Sequence, residues 1–147
     1  MVSVAEKRIT RRVATASGKV RLGKSVLGKL REGELWTAKG AVFQTAIIAG
    51  TMAAKETARL IPFCHPIALE NCRITITPMD EEVVEIHATV TCEAKTGVEM
   101  EALTAVSATA LTLIDMTKAI SPESMIESIG LLSKEGGKTP YQRSSAE

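Results

Sequence analysis

Three observations predict an α+β fold, with two long helices on one face of a four-stranded antiparallel sheet. Segments whose apolar residues alternate are interleaved with segments whose apolar residues recur at helical spacing. Their order is strand, helix, strand, strand, helix, strand. Proline stands after both long helices and in the connection between the two middle strands.

Each element has its own warrant. Ile9 to Leu22 mixes Thr and Val with small and basic residues and reads as a strand. Lys24 to Arg31 reads as a short inserted helix stopped by Gly33, and Trp36 to Gly40 as a loop. Val42 to Leu60 is the first long helix. Val42, Ala46, Ala49 and Ala53, with Phe43, Ile47, Ile48 and Met52, make it apolar nearly all round, so it calls for cover on more than one side. Gly50 in its middle costs about 1 kcal/mol of helix propensity, which predicts a close neighbour there. Pro62 and Pro66 end the helix around a Phe63-Cys64-His65 turn.

Cys72, Ile74 and Ile76 alternate with Arg73, Thr75 and Thr77. Val84, Ile86, Ala88, Val90 and Cys92 alternate with Glu85, His87, Thr89 and Thr91. These are two half-buried strands, joined as a hairpin through Pro78 to Glu82. Val98 to Ile120 is the second long helix, with Leu103, Val106, Ala110 and Leu113 at helical spacing and Pro122 as its stop. Ser124 to Leu132 is the last strand, and Gly136 to Glu147 a polar, frayed tail. Two helices over one face of such a sheet make a ferredoxin-like layer. The whole chain, 1–147, reads as one domain, flexible at 1–8 and 139–147.

Composition narrows the function. With 147 residues, 45% of them hydrophobic, the chain can bury a core and is not a disordered one. Its 18 Lys+Arg against 17 Asp+Glu give a net charge of +1, which argues against nucleic-acid binding by bulk electrostatics. Aromatics at 3% leave few platforms for stacking single-stranded bases. The start, MVSVAEKRITRRV, has no apolar signal core, and the longest uncharged stretch, Ala41 to Ala54, is shorter than the roughly 20 residues of a membrane span. Cys64, Cys72 and Cys92 lack CxxC spacing and read as reduced thiols of a cytoplasmic protein, with no metal site.

The second long helix is the informative one. Glu99 and Glu101 stand in its first turn, where the helix dipole favours carboxylates. Asp115 and Lys118 are three apart and share a face near its other end. A surface ion pair is the plain reading of Asp115. Its flanks, Ile114 and Met116, on an otherwise apolar helix weigh against it, because Asp is disfavoured in helix interiors. Fourteen residues separate Glu101 from Asp115, about 21 Å of helix. One small substrate cannot reach both on one chain, so either the sites differ or one site draws the two ends from different subunits. His65, between two prolines, is a candidate acid, base or donor. Lys39, Lys118, Lys138 and the Arg11-Arg12 pair are scattered singly, yet together they suit phosphate oxygens. Gly136-Gly137-Lys138-Thr139 imitates the end of a P-loop, but Leu132 stands where the first glycine is needed and no helix can follow Pro140.

At Leu60-Ile61-Pro62-Phe63-Cys64-His65-Pro66 and at Thr96-Gly97-Val98-Glu99-Met100-Glu101-Ala102-Leu103-Thr104-Ala105 the sequence resembles the MoaC family, the cyclic pyranopterin monophosphate synthases of molybdenum cofactor biosynthesis. The resemblance runs from Met1 to about Lys138 and includes Thr10-Arg11-Arg12, Ile48-Ala49-Gly50, Ile114-Asp115-Met116 and Gly136-Gly137-Lys138. It implies a ferredoxin-like subunit in a hexamer, a trimer of dimers, with active sites at the dimer interface. It implies a lyase-type reaction in which a GTP-derived cyclic nucleotide, a cyclised dihydro-GTP, becomes cyclic pyranopterin monophosphate and pyrophosphate leaves. No bound cofactor is implied, and a divalent metal such as magnesium at the departing pyrophosphate stays open. By position, Asp115, Lys118 and Lys39 match catalytic residues. Phe63, Cys64, His65, Glu99, Met100 and Glu101 match substrate contacts, and Arg12 an arginine near the triphosphate. Ser3, Val13, Ala41 and Ile47 depart from the family's usual Asp, acid, acid and Arg. Two other readings compete with the enzyme: a relative that binds the nucleotide or a partner without turnover, and a thiol or metal hydrolase built on Cys64 and His65.

Overall fold

Alternation along the first strand sets the architecture. The computed structural model describes residues 1–144. In β1 (Thr10–Arg21) Ala14, Ala16 and Val20 are fully buried, while Thr15, Ser17 and Lys19 between them are half-exposed. The remaining elements are α1 (Lys24–Leu27), β2 (Trp36–Thr37), β3 (Gly40–Ala41), α2 (Val42–Lys55), α3 (Thr57–Leu60), β4 (Asn71–Pro78), β5 (Val83–Ala94), α4 (Glu99–Thr117), β6 (Met125–Glu135) and β7 (Tyr141–Gln142). The main sheet runs β4-β5-β1-β6-β7, every pair antiparallel. The connection from β1 through α2 to β4 skips β5, and that from β5 through α4 to β6 skips β1. Both long helices therefore lie on one face. α4 packs on β1, β5 and β6, and α2 packs on α4 and β4. The opposite face carries hydroxyls, with Thr15 and Thr89 hydrogen-bonded across β1 and β5 at 3.0 Å.

Two glycines set how closely α4 is held. A Cβ at Gly50 of α2 would overlap Thr109 Oγ1 and stand 2.8 Å from Ala105 O and Ile74 Cδ1. A Cβ at Gly18 of β1 would stand 2.6 Å from Val106 Cγ1. The close neighbour expected at Gly50 is thus α4 itself. The buried hydroxyls of Thr109 and Thr117 donate back to Ala105 O and Leu113 O at 2.8 and 2.7 Å, so they enter the core without loss of a partner. Outside this packing, Ile48 and Met52 on α2 and Leu111 on α4 remain about 60% exposed. One chain covers a single side of α2.

Four expectations need correction. The sheet has five strands rather than four, because Tyr141–Gln142, inside the predicted frayed tail, pairs with Ser133 and Lys134 as β7. Residues 145–147 of that tail lie outside the described residues. The first long helix stops at Lys55 and restarts as α3, because Glu56 leaves helical geometry (φ −103°, ψ 10°) and its amide turns to Ala53 O at 3.0 Å. The short helix ends at Gly28, not near Gly33. Glu32 (φ 50°) and Gly33 (φ 79°) instead turn the chain through an Arg31–Glu34 bridge. The loop at Trp36 to Gly40 is a two-residue-per-strand hairpin, β2–β3, with Ala38 and Lys39 at its tip.

Gly50→Ala should lower stability by about 1–3 kcal/mol despite alanine's better helix propensity. The check is the urea midpoint, and a midpoint that rises would mean that α2 and α4 part there without cost.

Candidate active site

Lys39, Asp115 and Lys118 meet at the C-terminal end of α4. The β2–β3 turn projects Lys39, and its Nζ donates to Asp115 Oδ2 at 2.7 Å and to the Asp115 main-chain oxygen at 3.1 Å. Lys118, one helical turn on, brings its Nζ to 2.8 Å from Oδ1. A carboxylate in the last turn of a helix opposes the dipole, and here two ammonium groups offset that. They hold the Asp115 carboxyl far below its usual 3.8, at about 2, first through the bond from Lys118 and then through that from Lys39. All three side chains are about half exposed. Exposed ion pairs contribute little to stability. The cluster is open to a ligand and does not serve as structural cement.

The other predicted residues gather at the opposite end. Glu99, Met100 and Glu101 begin α4. Glu101 is buried (4% exposed), and burial pushes its carboxyl pKa up, with the charge of Glu99 adding to the rise. Glu99 is held by Lys134 of β6 at 2.9 Å. Phe63, Cys64 and His65 follow α3, Phe63 exposed and the other two half-buried. Burial, then the charge of Glu101, raises the Cys64 thiol. A nucleophilic cysteine needs the reverse. Among the described residues no three His, Cys, Asp or Glu side chains are gathered for a metal ion. The reading of Cys64 as a hydrolytic nucleophile therefore has no support.

Arg12 lies beside the same end of α4, its Nε and one terminal nitrogen reaching Ala94 O and Lys95 O at 3.4 and 3.5 Å. It lines a cavity of about 690 Å³ with Lys7, Arg8, Lys95, Lys134 and Lys138. Gly136 makes this possible. Its φ of 87° and its packing on the Arg11 carbonyl leave no room for a Cβ, and Thr10 Oγ1 donates to Gly136 O at 2.8 Å. The Gly136-Gly137-Lys138 loop is thereby tied to the start of β1. It leads into β7 and not into a helix, consistent with rejecting a P-loop. Lys7, Arg8, Lys95 and Lys134 had no signal in the sequence beyond being charged, because only the pairing of β1 with both β5 and β6 brings their segments together. A smaller cavity of about 230 Å³ lies between Lys55, Arg59, Ile67 and Glu101.

The structure thus brings the predicted residues into two groups, Lys39–Asp115–Lys118 and Arg12 with the start of α4, and keeps them about 21 Å apart along the helix. Comparison with protein families matches residues 1–137 to the MoaC family. The chain belongs to the MoaC family. It is 50% identical over 138 residues to the cyclic pyranopterin monophosphate synthase of Xanthomonas axonopodis pv. citri (strain 306), covering 94% of this chain and 84% of that protein. It is 51% identical over 141 residues to that of Nostoc sp. (strain PCC 7120 / SAG 25.82 / UTEX 2576), covering 95% and 82%. Molybdenum cofactor biosynthesis protein 1 of Dictyostelium discoideum is 43% identical over 155 residues, 95% of this chain and 25% of that longer protein.

The four departures of this MoaC chain sit outside the Lys39–Asp115–Lys118 cluster. Ser3 accepts from the Ala5 amide at 3.4 Å, and Val13 is half-buried on β1. Ala41 is the N-cap of α2, with no side chain to cap it, and Ile47 packs against the core.

Asp115 should titrate with a midpoint of about 2, against the usual 3.8, in a carboxyl-carbon NMR titration. Its folded-state value is depressed, so whatever the two bonds contribute to folding is complete above 3.8 and is lost as pH falls through about 2. A midpoint near 3.8 would mean that neither lysine holds the carboxylate in solution.

Proposed function

We propose that this chain converts a cyclised dihydro-GTP into cyclic pyranopterin monophosphate with release of pyrophosphate, an early step of molybdenum cofactor biosynthesis. The single observation that carries the reading is the Asp115 carboxylate clamped between Lys39 and Lys118 at 2.7 and 2.8 Å, on a chain half identical to synthases of that name. Opening and rebuilding a purine ring moves protons at several atoms. A lysine oriented by a carboxylate can deliver or take them. Lys118 acts there, and Asp115, ionised at any physiological pH, keeps its Nζ aimed. When the cyclic phosphate closes, charge grows on the leaving pyrophosphate, and Lys39, Arg12 and His65 stabilise it. The reading needs no bound cofactor.

The basic cavity beside Arg12 suits the triphosphate. Lys7, Lys95, Lys134 and Lys138 give it positive charge without a broad basic surface. The ring end of the substrate then lies along the start of α4, toward Glu101, while the Asp115 cluster comes from a second subunit. A homo-oligomer, a hexamer arranged as a trimer of dimers, accounts for the distance between the two groups and for the exposed Ile48, Met52 and Leu111. The four long strands in the order β4-β5-β1-β6, with α2 and α4, support a ferredoxin-like subunit to which β7 and the β2–β3 hairpin are additions. Three free cysteines fit a reducing cytoplasm, and no described helix is long and apolar enough to cross a membrane.

Incubation of the purified chain with the cyclised dihydro-GTP should release pyrophosphate and, after oxidation, yield a fluorescent pterin. No product above a buffer blank would overturn the reading. Lys118→Ala and Asp115→Asn should fold and assemble normally yet lose at least about 100-fold in kcat, and a few-fold loss would sink their assigned roles. Sizing in solution bears on the shared site, which an active monomer would contradict.

A further inference from the structure

The N-terminus of α2 is capped from outside the helix. Ala41 stands at the N-cap and offers no side-chain acceptor. Glu34, seven residues earlier, supplies what is missing. Its Oε1 accepts from the Phe43 amide at 2.8 Å and its Oε2 from the Gln44 amide at 3.1 Å. The Val42 amide donates to Leu35 O at 2.9 Å, and the Leu35 amide donates to Glu34 Oε1 at 2.7 Å. The first three amides of α2 therefore all find partners on Glu34 and Leu35. These are the donors that a helix cannot satisfy internally, and a carboxylate at that end is also favoured by the dipole. Glu34 is itself braced by paired main-chain bonds to Arg31 at 3.0 Å, across the turn at Glu32 and Gly33.

What lies between the two ends of this staple is the β2–β3 hairpin, and Lys39 is at its tip. The hairpin has only two residues per strand, too few to hold a fixed shape by itself. Trp36 on it is 67% exposed and gives little anchorage. The Glu34 bonds close its base, and the Lys39–Asp115 bonds engage its tip. We infer that Glu34 is a positioning residue: by capping α2 across the base of the hairpin, it holds Lys39 against Asp115. The role in turnover rests on the reading of Lys39 given above, while the role in holding the pair stands apart from it.

The test compares the full chain with Glu34→Ala, Ala41→Asp, the double variant and Lys39→Ala. Aspartate is a strong N-cap residue, so Ala41→Asp gives α2 a cap of its own and makes Glu34 dispensable. In Glu34→Ala, kcat should fall roughly 10- to 100-fold, as expected when a reacting group is misplaced, with KM changed less than about threefold. The double variant should recover most of kcat, and Ala41→Asp alone should stay within about twofold of the parent. Independently of activity, the Asp115 titration midpoint should rise from about 2 in Glu34→Ala, where Lys39 no longer holds Oδ2, and return in the double variant. An unchanged midpoint in Glu34→Ala overturns the inference whatever the activity shows. A loss that Ala41→Asp does not rescue overturns it too, because Glu34 then acts otherwise than as a cap. Should Lys39→Ala turn over like the parent, the reading of Lys39 fails and the midpoint alone decides the holding role. If Glu34→Ala does not fold, Glu34→Gln, which keeps one acceptor oxygen, is judged by the same criteria.

Discussion

The rest of the molecule depends on how tightly α4 is gripped. One side is pressed by α2 at Gly50 and the other by β1 at Gly18, and at neither position is there room for a methyl group. Packing at that density transmits displacement instead of absorbing it. A 19-residue helix held in this way behaves as a rod. Its two ends carry the two groups of polar residues, so the separation of Glu101 from Asp115 is a fixed dimension. Flexing of one chain cannot bring the two ends together.

Charge is distributed by the same logic. A net charge of +1 over 147 residues looks indifferent to anions, yet six cationic side chains from three stretches of chain converge on one cavity, against two carboxylates, Glu6 and Glu135. Elsewhere some basic residues are spent on partners: Arg21 lies between Glu82 and Glu127, and Lys24 pairs with Glu81 at 2.9 Å. The field that matters to a phosphate is local, and the sum over the chain conceals it.

Much of this was legible in the sequence where one physical signal acted alone. Alternation placed β4 and β5 within a few residues of their ends, because each sets its apolar residues on one face; β1 was marked by its Thr, Val and small residues instead. Asp115 stood out as a carboxylate between Ile114 and Met116. The rest depended on competition or on distance. α2 stops because the backbone at Glu56 leaves helical geometry, and nothing in the periodicity of Val42 to Leu60 marks that. Tyr141–Gln142 is too short to show any period and becomes a strand only because Gly136 turns the chain back onto β6. Glu34 looks like one more surface acid until α2 is seen to lack a cap of its own. Arg12 was one of several scattered cations until the resemblance singled it out, and its neighbours Lys7, Lys95 and Lys134 were not found at all.

The short final strand has a consequence for how the protein keeps to itself. An uncovered sheet edge is a template on which another chain can add a strand, the first step toward aggregation. β7 occupies the β6 edge at Ser133 and Lys134, and the Arg143 amide extends the seal to Leu132 O at 2.7 Å. Beyond that cover, the pairing of β6 with β1 is broken by two register shifts, which bend a strand away from flat association. At the far edge, β4 ends in Pro78, which has no amide to donate. A tail that looks dispensable by composition thus covers part of an edge that would otherwise stand open to another strand.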